Sequence, residues 1–384
     1  MRFEFTSAGR IIFGQGAVKE LPDIAARFGH RVLIVTGRDR LRYAGLIAML
    51  EGKDLVCTLF PVMGEPSIEL VREGAALMRA ASAELVISIG GGSAIDAGKA
   101  IAAAAANSGD VLDYIEVIGR GLPFENAPLP FLAVPTTAGT GSEVTRNAVL
   151  GSKQHGVKAS LRSAAMLARV AIVDPDLTMG LPAAITASTG LDALTQLIEP
   201  FVSIRANPLV DALCREGLPK IARALPLAWE NGSNREARAA MSYSSLLSGL
   251  ALANAGLGVV HGFAAAIGGT FDAPHGNICA AILPHGIAAN LRALRARAPE
   301  SPALERYHEA ARLTTGESSA SADDLVSWVA NLTQHLRIPG LSAWHVREQD
   351  VAPIVERAAR ASSMKANPLP LSDSELADTV RKAL

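Results

Sequence analysis

Cysteine is scarce in this sequence, with only Cys57, Cys214 and Cys279 among 384 residues. An odd number of widely spaced cysteines excludes a disulfide framework and is typical of proteins in a reducing compartment. Net charge is nearly absent as well, at −1 for the whole chain. The protein therefore lacks the general attraction to nucleic acid or anionic lipid that a strongly basic chain has.

Long apolar runs are missing too, since no stretch reaches the length that crosses a membrane. Glu4 stands where a signal peptide would have its apolar core. We therefore expect a soluble, cytoplasmic protein with no membrane or nucleic acid partner. Apolar residues are nevertheless abundant, at 49% against 19% charged. The chain can thus bury a large core, and its length favours two domains.

The stretch GGGSAIDAGKA, from Gly90 to Ala100, carries a clear functional signal. A short β-branched run before it predicts a buried strand, and the alanine-rich residues after it predict a helix. Glycines without a Cβ let a diphosphate approach the backbone, and the N–H groups that open a helix favour an anion. The pattern predicts a phosphate-binding turn, although an ordinary tight turn has the same residues.

Alternating strand and helix patterns fill the first half of the chain and predict a parallel sheet covered on both faces. We predict an opening strand or hairpin at residues 3–13, strands at 31–36, 55–60, 85–89, 131–135 and 171–173, and helices at 17–28, 41–50 and 66–81. Gly37 and Gly90 to Gly92 follow predicted strands at their carboxyl ends, where ligands of such sheets bind. The hydroxyl-rich stretch from Thr136 to Thr145 is either a set of hydrogen-bond donors for a phosphate or ribose, or a polar loop.

The second half has apolar residues at helical spacing and no strand-like runs, so we predict that it is all-α. The predicted helices cover residues 188–202, 208–229, 234–252, 286–296, 302–313, 322–336 and 349–361. The change of pattern predicts a domain boundary near Pro182.

Four side chains of the helical half form a second candidate site. Asp192 and Gln196 lie four residues apart on one predicted helix face, and His261 and His275 flank a glycine-bearing stretch. Two imidazoles and a carboxylate in apolar surroundings are suitable ligands for zinc or ferrous iron. The alternative is that the histidines are hydrogen-bonded core residues that do not converge.

Two neighbours of these histidines are weaker candidates. We expect Cys279 to be a small core residue, because it stands between Ile278 and Ala280. We expect His285 to cap or orient the helix that follows it.

Together these stretches make the chain resemble the iron-containing, group III alcohol dehydrogenases over essentially its whole length. The motifs that carry the resemblance are Ile12-Phe13-Gly14, GGGSAIDAGKA with Asp96 and Lys99, PTTAGTGSEVT from Pro135 to Thr145, Gly190-Leu191-Asp192-Ala193, Val202-Ser203 with Ala206-Asn207-Pro208, Val260-His261, Pro274-His275-Gly276, Leu283-Pro284-His285 and Asn367-Pro368. The resemblance implies an α/β Rossmann-like N-terminal domain and an all-α C-terminal domain, the dehydroquinate synthase-like architecture. We assign residues 1–181 to dinucleotide binding and residues 182–384 to metal and substrate.

The resemblance also implies an activity and an assembly. The activity is reversible hydride transfer between a nicotinamide cofactor and an alcohol/aldehyde or ketone pair, with cofactor and metal in the cleft between the domains. The carbonyl oxygen would lie against the metal or, without metal, against His261 and His275. Many relatives are dimers or larger, so we expect a homodimer or larger homo-oligomer.

Carried over by position, the resemblance implies a set of site residues. Gly90, Gly91, Gly92 and Ser93 would hold the diphosphate, Thr136, Thr137 and Ser142 would contact phosphate or nicotinamide, and Lys158 would reach the ribose. The family's metal shell of one aspartate and three histidines falls on Asp192, His261 and His275, which would also be the catalytic groups, and on Gln196.

Two positions depart from the family pattern. Gln196 replaces a histidine, and its neutral, harder carbonyl oxygen ligates zinc or iron more weakly than imidazole does. We therefore expect weak metal binding, an oxygen-tolerant ion, or function without metal. Ala265 replaces a second histidine and removes a proton relay, so water or a cofactor ribose hydroxyl would carry the alcohol proton.

The end of the second strand bears on the choice of cofactor. Relatives that prefer NAD often have an acidic residue where this chain has Gly37, followed by Arg38 and, close by, Arg40. A guanidinium suits a 2′-phosphate, so we predict NADP, with Asp39 leaving NAD as the alternative.

Two alternatives to an alcohol dehydrogenase remain open. One is a metal-independent reductase of an unsaturated oxo-acid of the maleylacetate reductase type, which the stretch from Gly268 to Phe271 with Pro274-His275 resembles. The other is a cofactor-binding protein without catalysis, suggested by the altered metal shell.

Overall fold

The computed structural model describes residues 2–39, 41–116, 118–152, 154–155 and 157–384. The chain divides into two compact units. The α/β unit contains Thr6–Thr137 and Gly141–Thr178, and the helical unit contains Met179–Leu384, Ala138–Thr140 and the N-terminal residues up to Phe5.

The α/β unit is built on a parallel sheet. The strands of this unit are β1 (Ile11–Phe13), β2 (Arg31–Thr36), β3 (Val56–Pro61), β4 (Leu85–Gly90), β5 (Phe131–Pro135), β6 (Asn147–Ser152), β7 (Val157–Arg162) and β8 (Val170–Val173). Six of them form one sheet in the order β1-β8-β5-β4-β2-β3, with every pair parallel, while β6 and β7 pair as an antiparallel hairpin. The central strands β4 and β5 are buried along their whole length, as expected of a sheet with both faces covered.

The strand order creates a switch point between β2 and β4. The chain leaves β2 toward β3 on one side and leaves β4 toward β5 on the other. Connections that diverge in this way open a crevice at the carboxyl ends of the two strands, where ligands of doubly wound sheets bind. Gly37 follows β2 and Gly90 ends β4, so the glycines singled out in the sequence lie at this crevice.

Within its described residues the α/β unit has five α-helices: α1 (Leu21–Ala25), α2 (Ala44–Glu51), α3 (Ile68–Ala80), α4 (Gly92–Ala106) and α5 (Val111–Tyr114). The side chain of Ser67 caps α3, because its hydroxyl accepts a hydrogen bond from the Leu70 N–H at 3.1 Å. Helix α4 packs on β4 and β5, and Gly98 makes this close approach possible. A Cβ at Gly98 would collide with Ser88 Oγ and lie 3.0 Å from Phe131 Cε2.

The helical unit contains nine α-helices in the part of the chain that the structure describes: α6 (Ala183–Val202), α7 (Pro208–Glu230), α8 (Arg235–Ala255), α9 (Val259–Gly268), α10 (His275–Arg297), α11 (Pro302–Thr315), α12 (Ala322–His335), α13 (Val351–Arg360) and α14 (Asp373–Lys382). Helix α6 packs against α7, α8 and α10, and residues 190–202 are all buried. This central helix therefore carries its polar side chains inside the protein. The structure confirms the predicted class of an α/β region followed by an all-α region.

No single helix among the described residues is long and apolar enough to cross a membrane. Helices α8 and α9 pass that test only as a pair, and they are bent by 96° relative to each other.

Several elements differ from the sequence prediction. Only β1 is regular within the opening strand predicted at 3–13, and the hairpin of β6 and β7 was not predicted. Helix α9 was missed because its glycines hide the helical pattern and because distant side chains cap it. Asn367 Oδ1 accepts from Val259 N at 3.0 Å, and Glu199 Oε1 accepts from Val260 N at 2.7 Å. Helix α14 was also missed, although Ser372 and Glu375 form a capping box that the sequence displays.

The packing of α4 on the sheet yields a stability test. Replacing Gly98 with alanine should destabilise the protein by about 1–3 kcal/mol, because the new methyl group displaces the Ser88 hydroxyl from its 2.9 Å hydrogen bond to Ala94 O. Urea unfolding followed by circular dichroism measures this change. Gly45→Ala is the matched control: among the described residues no atom beyond the chain neighbours and the backbone of α2 lies within 4 Å of a Cβ there, so it should stabilise α2 by about 0.5–1 kcal/mol. Equal stability of Gly98→Ala and the natural protein would contradict the packing argument.

Candidate functional site

The glycine turn has little room for side chains. Gly91 is the N-cap of α4 and supplies no capping side chain, so the first N–H groups of the helix stay open to a ligand. A Cβ at Gly90 would lie 2.6 Å from Ala94 Cβ, and one at Gly91 would lie 3.3 Å from Thr137 Cγ2 and Oγ1. Larger residues would therefore collide with Ala94 at Gly90 and crowd Thr137 at Gly91.

The two threonines after β5 are placed differently. Thr136 is buried, its N–H donates to Gly90 O at 2.9 Å, and its Oγ1 lies 3.2 Å from the Tyr43 hydroxyl. Thr137 is partly exposed and borders Gly91. Thr137 thus offers its hydroxyl to a ligand of the turn, whereas Thr136 links β5 to β4 and to Tyr43.

The crevice beside β2 is open. Gly37 is partly exposed, and among the described residues no atom beyond its chain neighbours lies within 4 Å of a Cβ placed there. Arg38 and Asp39 are exposed, with Arg38 Nη2 donating to Met63 O at 3.3 Å and Asp39 Oδ1 accepting from Leu41 N at 3.1 Å. Arg40, the other basic residue predicted here, lies outside the described residues.

Ser142 and Lys99 belong to one buried network. The Ser142 hydroxyl donates to Asp96, and its carbonyl oxygen accepts from Lys99 Nζ at 2.8 Å. The fully buried Lys99 ammonium also donates to Asn147 O at 2.6 Å and to Thr145 Oγ1 at 3.0 Å. The network fastens α4 to residues 142–147, so Ser142 supports the glycine turn from inside the α/β unit.

Lys158 lies in β7, and its ammonium is 2.5 Å from Glu65 Oε2. Its side chain is only 9% exposed. The charge that the sequence assigns to the cofactor ribose is therefore paired with a carboxylate in this structure.

The second candidate site assembles in the helical unit. Asp192 lies on α6, His261 is the third residue of α9, and His275 is the first residue of α10. Asp192 Oδ1 is 3.2 Å from His261 Nε2 and 3.6 Å from His275 Nε2. The two histidines separated by a loop therefore converge on one carboxylate.

Cys279 joins these three residues. One ligand atom from each of Asp192, His261, His275 and Cys279 lies within 4.8 Å of all the others. Cys279 is fully buried, as predicted for a core residue, yet its Sγ also lies 3.6 Å from His275 Nε2. The sequence signal was the spacing of four between His275 and Cys279, which places both on one face of α10.

Gln196 is buried on α6, one turn after Asp192. Its Oε1 is 2.9 Å from Ser248 Oγ, so the amide oxygen has a hydrogen-bond partner. His285 lies inside α10, which continues to Arg297. The expectation that His285 caps or orients a following helix is therefore wrong.

Glu199 is a residue that the sequence analysis missed. Its Oε2 lies 2.7 Å from His261 Nδ1, and its Oε1 accepts from Val260 N at 2.7 Å. A carboxylate on one ring nitrogen orients the other nitrogen, here Nε2, toward the site, as is usual for metal-binding histidines. Asp192, Gln196 and Glu199 stand at i, i+4 and i+7 on α6, which is the pattern that could have revealed Glu199.

The electrostatics of the cluster favour positive charge on the buried histidines. Burial by itself would raise the pKa of Asp192, but His275 and His261 lower it. Burial by itself would lower the pKa of His261, but Cys279, Glu199 and Asp192 raise it well above its ordinary value. Anionic groups thus outweigh the cost of burying a positive charge.

Two atoms test whether a divalent metal fits here. Asp192 Oδ1 and His261 Nε2 are buried, and neither has a hydrogen bond of acceptable geometry to any described residue. Buried polar atoms are normally satisfied, so such a pair calls for a ligand. A divalent cation would satisfy a carboxylate oxygen and an imidazole nitrogen at once, and the residues therefore fit a metal.

Comparison with known proteins gives consistent matches. The iron-containing alcohol dehydrogenase model matches residues 8–175, and the model of the Fe-containing alcohol dehydrogenase family, C-terminal, matches residues 186–384. Alcohol dehydrogenase 4 of Saccharomyces cerevisiae is 34% identical over 377 residues, which cover 97% of this chain and 96% of that protein. The NAD-dependent methanol dehydrogenase of Bacillus methanolicus is 32% identical over 386 residues, covering 97% of both. The crystal structure of a 1,3-propanediol oxidoreductase matches with a TM-score of 0.92 and 33% identity, covering 100% of both chains.

Glu143, next to the Lys99 network, yields a pH test. Burial raises the pKa of Glu143 to about 7, although Lys99 opposes this. The folded state therefore holds this proton to higher pH than the unfolded state, and the natural protein loses stability as pH rises from about 4.5 toward 7. Replacing Glu143 with glutamine removes the titration. Between pH 5 and 8, the unfolding free energy of the variant should rise by about 1–3 kcal/mol relative to that of the natural protein.

Urea unfolding at several pH values measures the difference. Glu125→Gln, at an exposed position, controls for the loss of one negative charge. A pH-independent difference between Glu143→Gln and the natural protein would argue against a protonated Glu143.

Proposed function

This chain belongs to the iron-containing alcohol dehydrogenase family, and we propose how its residues serve the reaction. As an oxidoreductase, it transfers a hydride between a nicotinamide cofactor and an alcohol/carbonyl pair. The glycine turn of the α/β unit binds the dinucleotide, and Asp192, His261 and His275 of the helical unit hold a divalent metal. The observation that carries the metal assignment is the pair of buried, unsatisfied atoms, Asp192 Oδ1 and His261 Nε2.

In the α/β unit, the residues at the switch point bind and orient the cofactor. The open N–H groups at the start of α4 receive the pyrophosphate, and Thr137 adds a hydroxyl beside Gly91. Lys99 keeps α4 and residues 142–147 in place. The bound nicotinamide supplies or accepts the hydride.

In the helical unit, the side chains hold and orient the electrophile. A divalent metal bound there supplies a Lewis acid that stabilises negative charge on the substrate oxygen. Glu199 fixes the ring of His261 so that Nε2 faces the cluster, and the burial of Asp192 keeps water from its carboxylate. His275 is 38% exposed, so substrate reaches the cluster from the His275 side. Ala265 offers no acid or base, so water or a ribose hydroxyl carries the alcohol proton.

We propose NADP as the preferred cofactor. The end of β2 carries Gly37 instead of a carboxylate, and the exposed Arg38 guanidinium uses one nitrogen on Met63 O. Its remaining donors suit a 2′-phosphate. Asp39 is the group that would favour NAD, although one of its oxygens already accepts from Leu41 N.

Removing the metal tests the catalytic assignment. Chelation should lower kcat/KM for an aldehyde by at least about 100-fold, since Lewis-acid stabilisation is worth several kcal/mol, and zinc or iron should restore it. Asp192→Asn should lower the metal content of the purified protein and kcat/KM together. NAD(P)H binding, measured by fluorescence, should not change in either case, which is the control for an intact α/β unit.

Full turnover by metal-free protein, above all with an unsaturated oxo-acid, would contradict the proposal and favour the maleylacetate reductase type. Cofactor binding with no turnover across aldehydes, ketones and oxo-acids would favour the non-catalytic alternative.

The cofactor preference can be reversed at Gly37. Among the described residues a Cβ at Gly37 meets no atom beyond its chain neighbours, and an aspartate carboxylate there should repel a 2′-phosphate and accept hydrogen bonds from the ribose hydroxyls of NAD. Gly37→Asp should lower the ratio of kcat/KM for NADP to that for NAD by about 10-fold or more, the effect of one charged hydrogen bond. Arg38→Ala should lower kcat/KM for NADP alone. Unchanged ratios in both variants would show that the preference is set elsewhere.

A further inference from the structure

We infer that the Cys279 thiolate is a ligand of the metal centre together with Asp192, His261 and His275, and that Gln196 is not. The inference rests on the proposed function, because it requires a divalent metal at this cluster. It goes further by changing the ligand set and the chemical character of the site. The thiol loses its proton to solvent as the metal binds, and no electron is transferred.

The spacing of the donor atoms is that of a zinc site. Ligand atoms around tetrahedral zinc, with bonds of about 2.0–2.3 Å, lie about 3.3–3.7 Å from one another. The measured distances are 3.2 Å from Asp192 Oδ1 to His261 Nε2, 3.6 Å from Asp192 Oδ1 to His275 Nε2, and 3.6 Å from Cys279 Sγ to His275 Nε2. Every pair among the four residues is within 4.8 Å. Cys279 Sγ therefore lies within reach of a metal held by the other three residues, and a substrate oxygen would add a fifth ligand.

A metal-free, hydrogen-bonded cluster does not account for this arrangement. Such a cluster would satisfy its buried polar atoms, yet Asp192 Oδ1 and His261 Nε2 lack a hydrogen bond of acceptable geometry. Leaving a buried polar group without a partner is costly. A cation between the two atoms and Cys279 Sγ removes both costs.

Gln196 and Cys279 differ in their suitability as the remaining ligand. Gln196 Oε1 is 2.9 Å from the Ser248 hydroxyl, and its amide is neutral and hard. Cys279 Sγ lies within the cluster, and a thiolate is a soft, anionic donor that binds zinc strongly. His275 and Cys279 are one turn apart on α10, so a single rigid helix presents two of the four donors.

Cobalt provides the test, because a thiolate bound to cobalt gives a charge-transfer band in the near ultraviolet that oxygen and nitrogen ligands do not. Chelated natural protein reloaded with Co²⁺ should show this band. Cys279→Ser should lose the band and bind zinc at least about 10-fold more weakly, as expected for the loss of one ligand. Cys57→Ser, the same change at a half-buried cysteine of β3, is the matched control and should keep both the band and the zinc affinity.

Two further variants separate Cys279 from Gln196. Gln196→Leu should keep the band, because its amide is not a ligand. Adding Gln196→His to Cys279→Ser should restore zinc affinity without the band, which a purely structural role of Cys279 would not produce.

The outcomes distinguish this inference from the proposed function. Stoichiometric cobalt with no thiolate band in the natural protein, or a Gln196→Leu variant that loses metal while Cys279→Ser retains it, would overturn the ligand assignment and leave the metal-dependent function standing. No cobalt or zinc binding by the natural protein would overturn both.

Discussion

One carboxylate, Glu199, fixes the geometry on which the helical site depends. Its two oxygens take the Val260 N–H and the His261 ring nitrogen, both at 2.7 Å, so the same group caps α9 and orients a side chain of that helix. Without Glu199, the Val260 N–H and the His261 ring nitrogen would each lack a partner, and each would destabilise the fold by about 1–3 kcal/mol. The position of His261 is thus tied to α6, the helix that also carries Asp192.

The α/β unit uses the same principle with the opposite charge. Lys99 is fully buried, and its ammonium donates to backbone carbonyls at both ends of the 142–147 stretch. A buried ammonium is costly unless its hydrogen bonds are satisfied, so its partners must hold their positions for the fold to be stable. In each unit a buried charged side chain holds a neighbouring segment in place: Lys99 holds residues 142–147, and Glu199 holds the start of α9. These buried hydrogen bonds position the residues of the two candidate sites.

The sequence predicted the parts of this structure that depend on local pattern. The strands β2, β4 and β5 were found because they are short, β-branched and followed by glycine or proline, and Ser67 was correctly identified as the cap of α3. Helix α9 was not found, because its start is stabilised by Asn367 and Glu199, which are far away in the chain. Patterns of neighbouring residues in the sequence cannot reveal a cap of this kind.

In the candidate site, too, residue types could be predicted from the sequence, whereas contacts between distant residues could not. Asp192, His261 and His275 were singled out by residue type, and the structure brings them together. Cys279 was assigned to the core, correctly, but its contact with His275 depends on how α10 packs against α6, which spacing along the chain does not determine. Residue type therefore identifies the donors, and only tertiary packing decides which of them share a point.

The placement of both histidines at helix starts bears on the chemistry of the site. His261 and His275 lie in the first turns of α9 and α10, where the helix dipole presents partial positive charge. That charge opposes a bound cation but stabilises negative charge that develops on a substrate oxygen. Asp192 and Glu199 place negative charge beside His261, which offsets the positive charge of the helix start. In the proposed reaction, the two helix starts would therefore add to the stabilisation that a bound metal gives to the substrate oxygen.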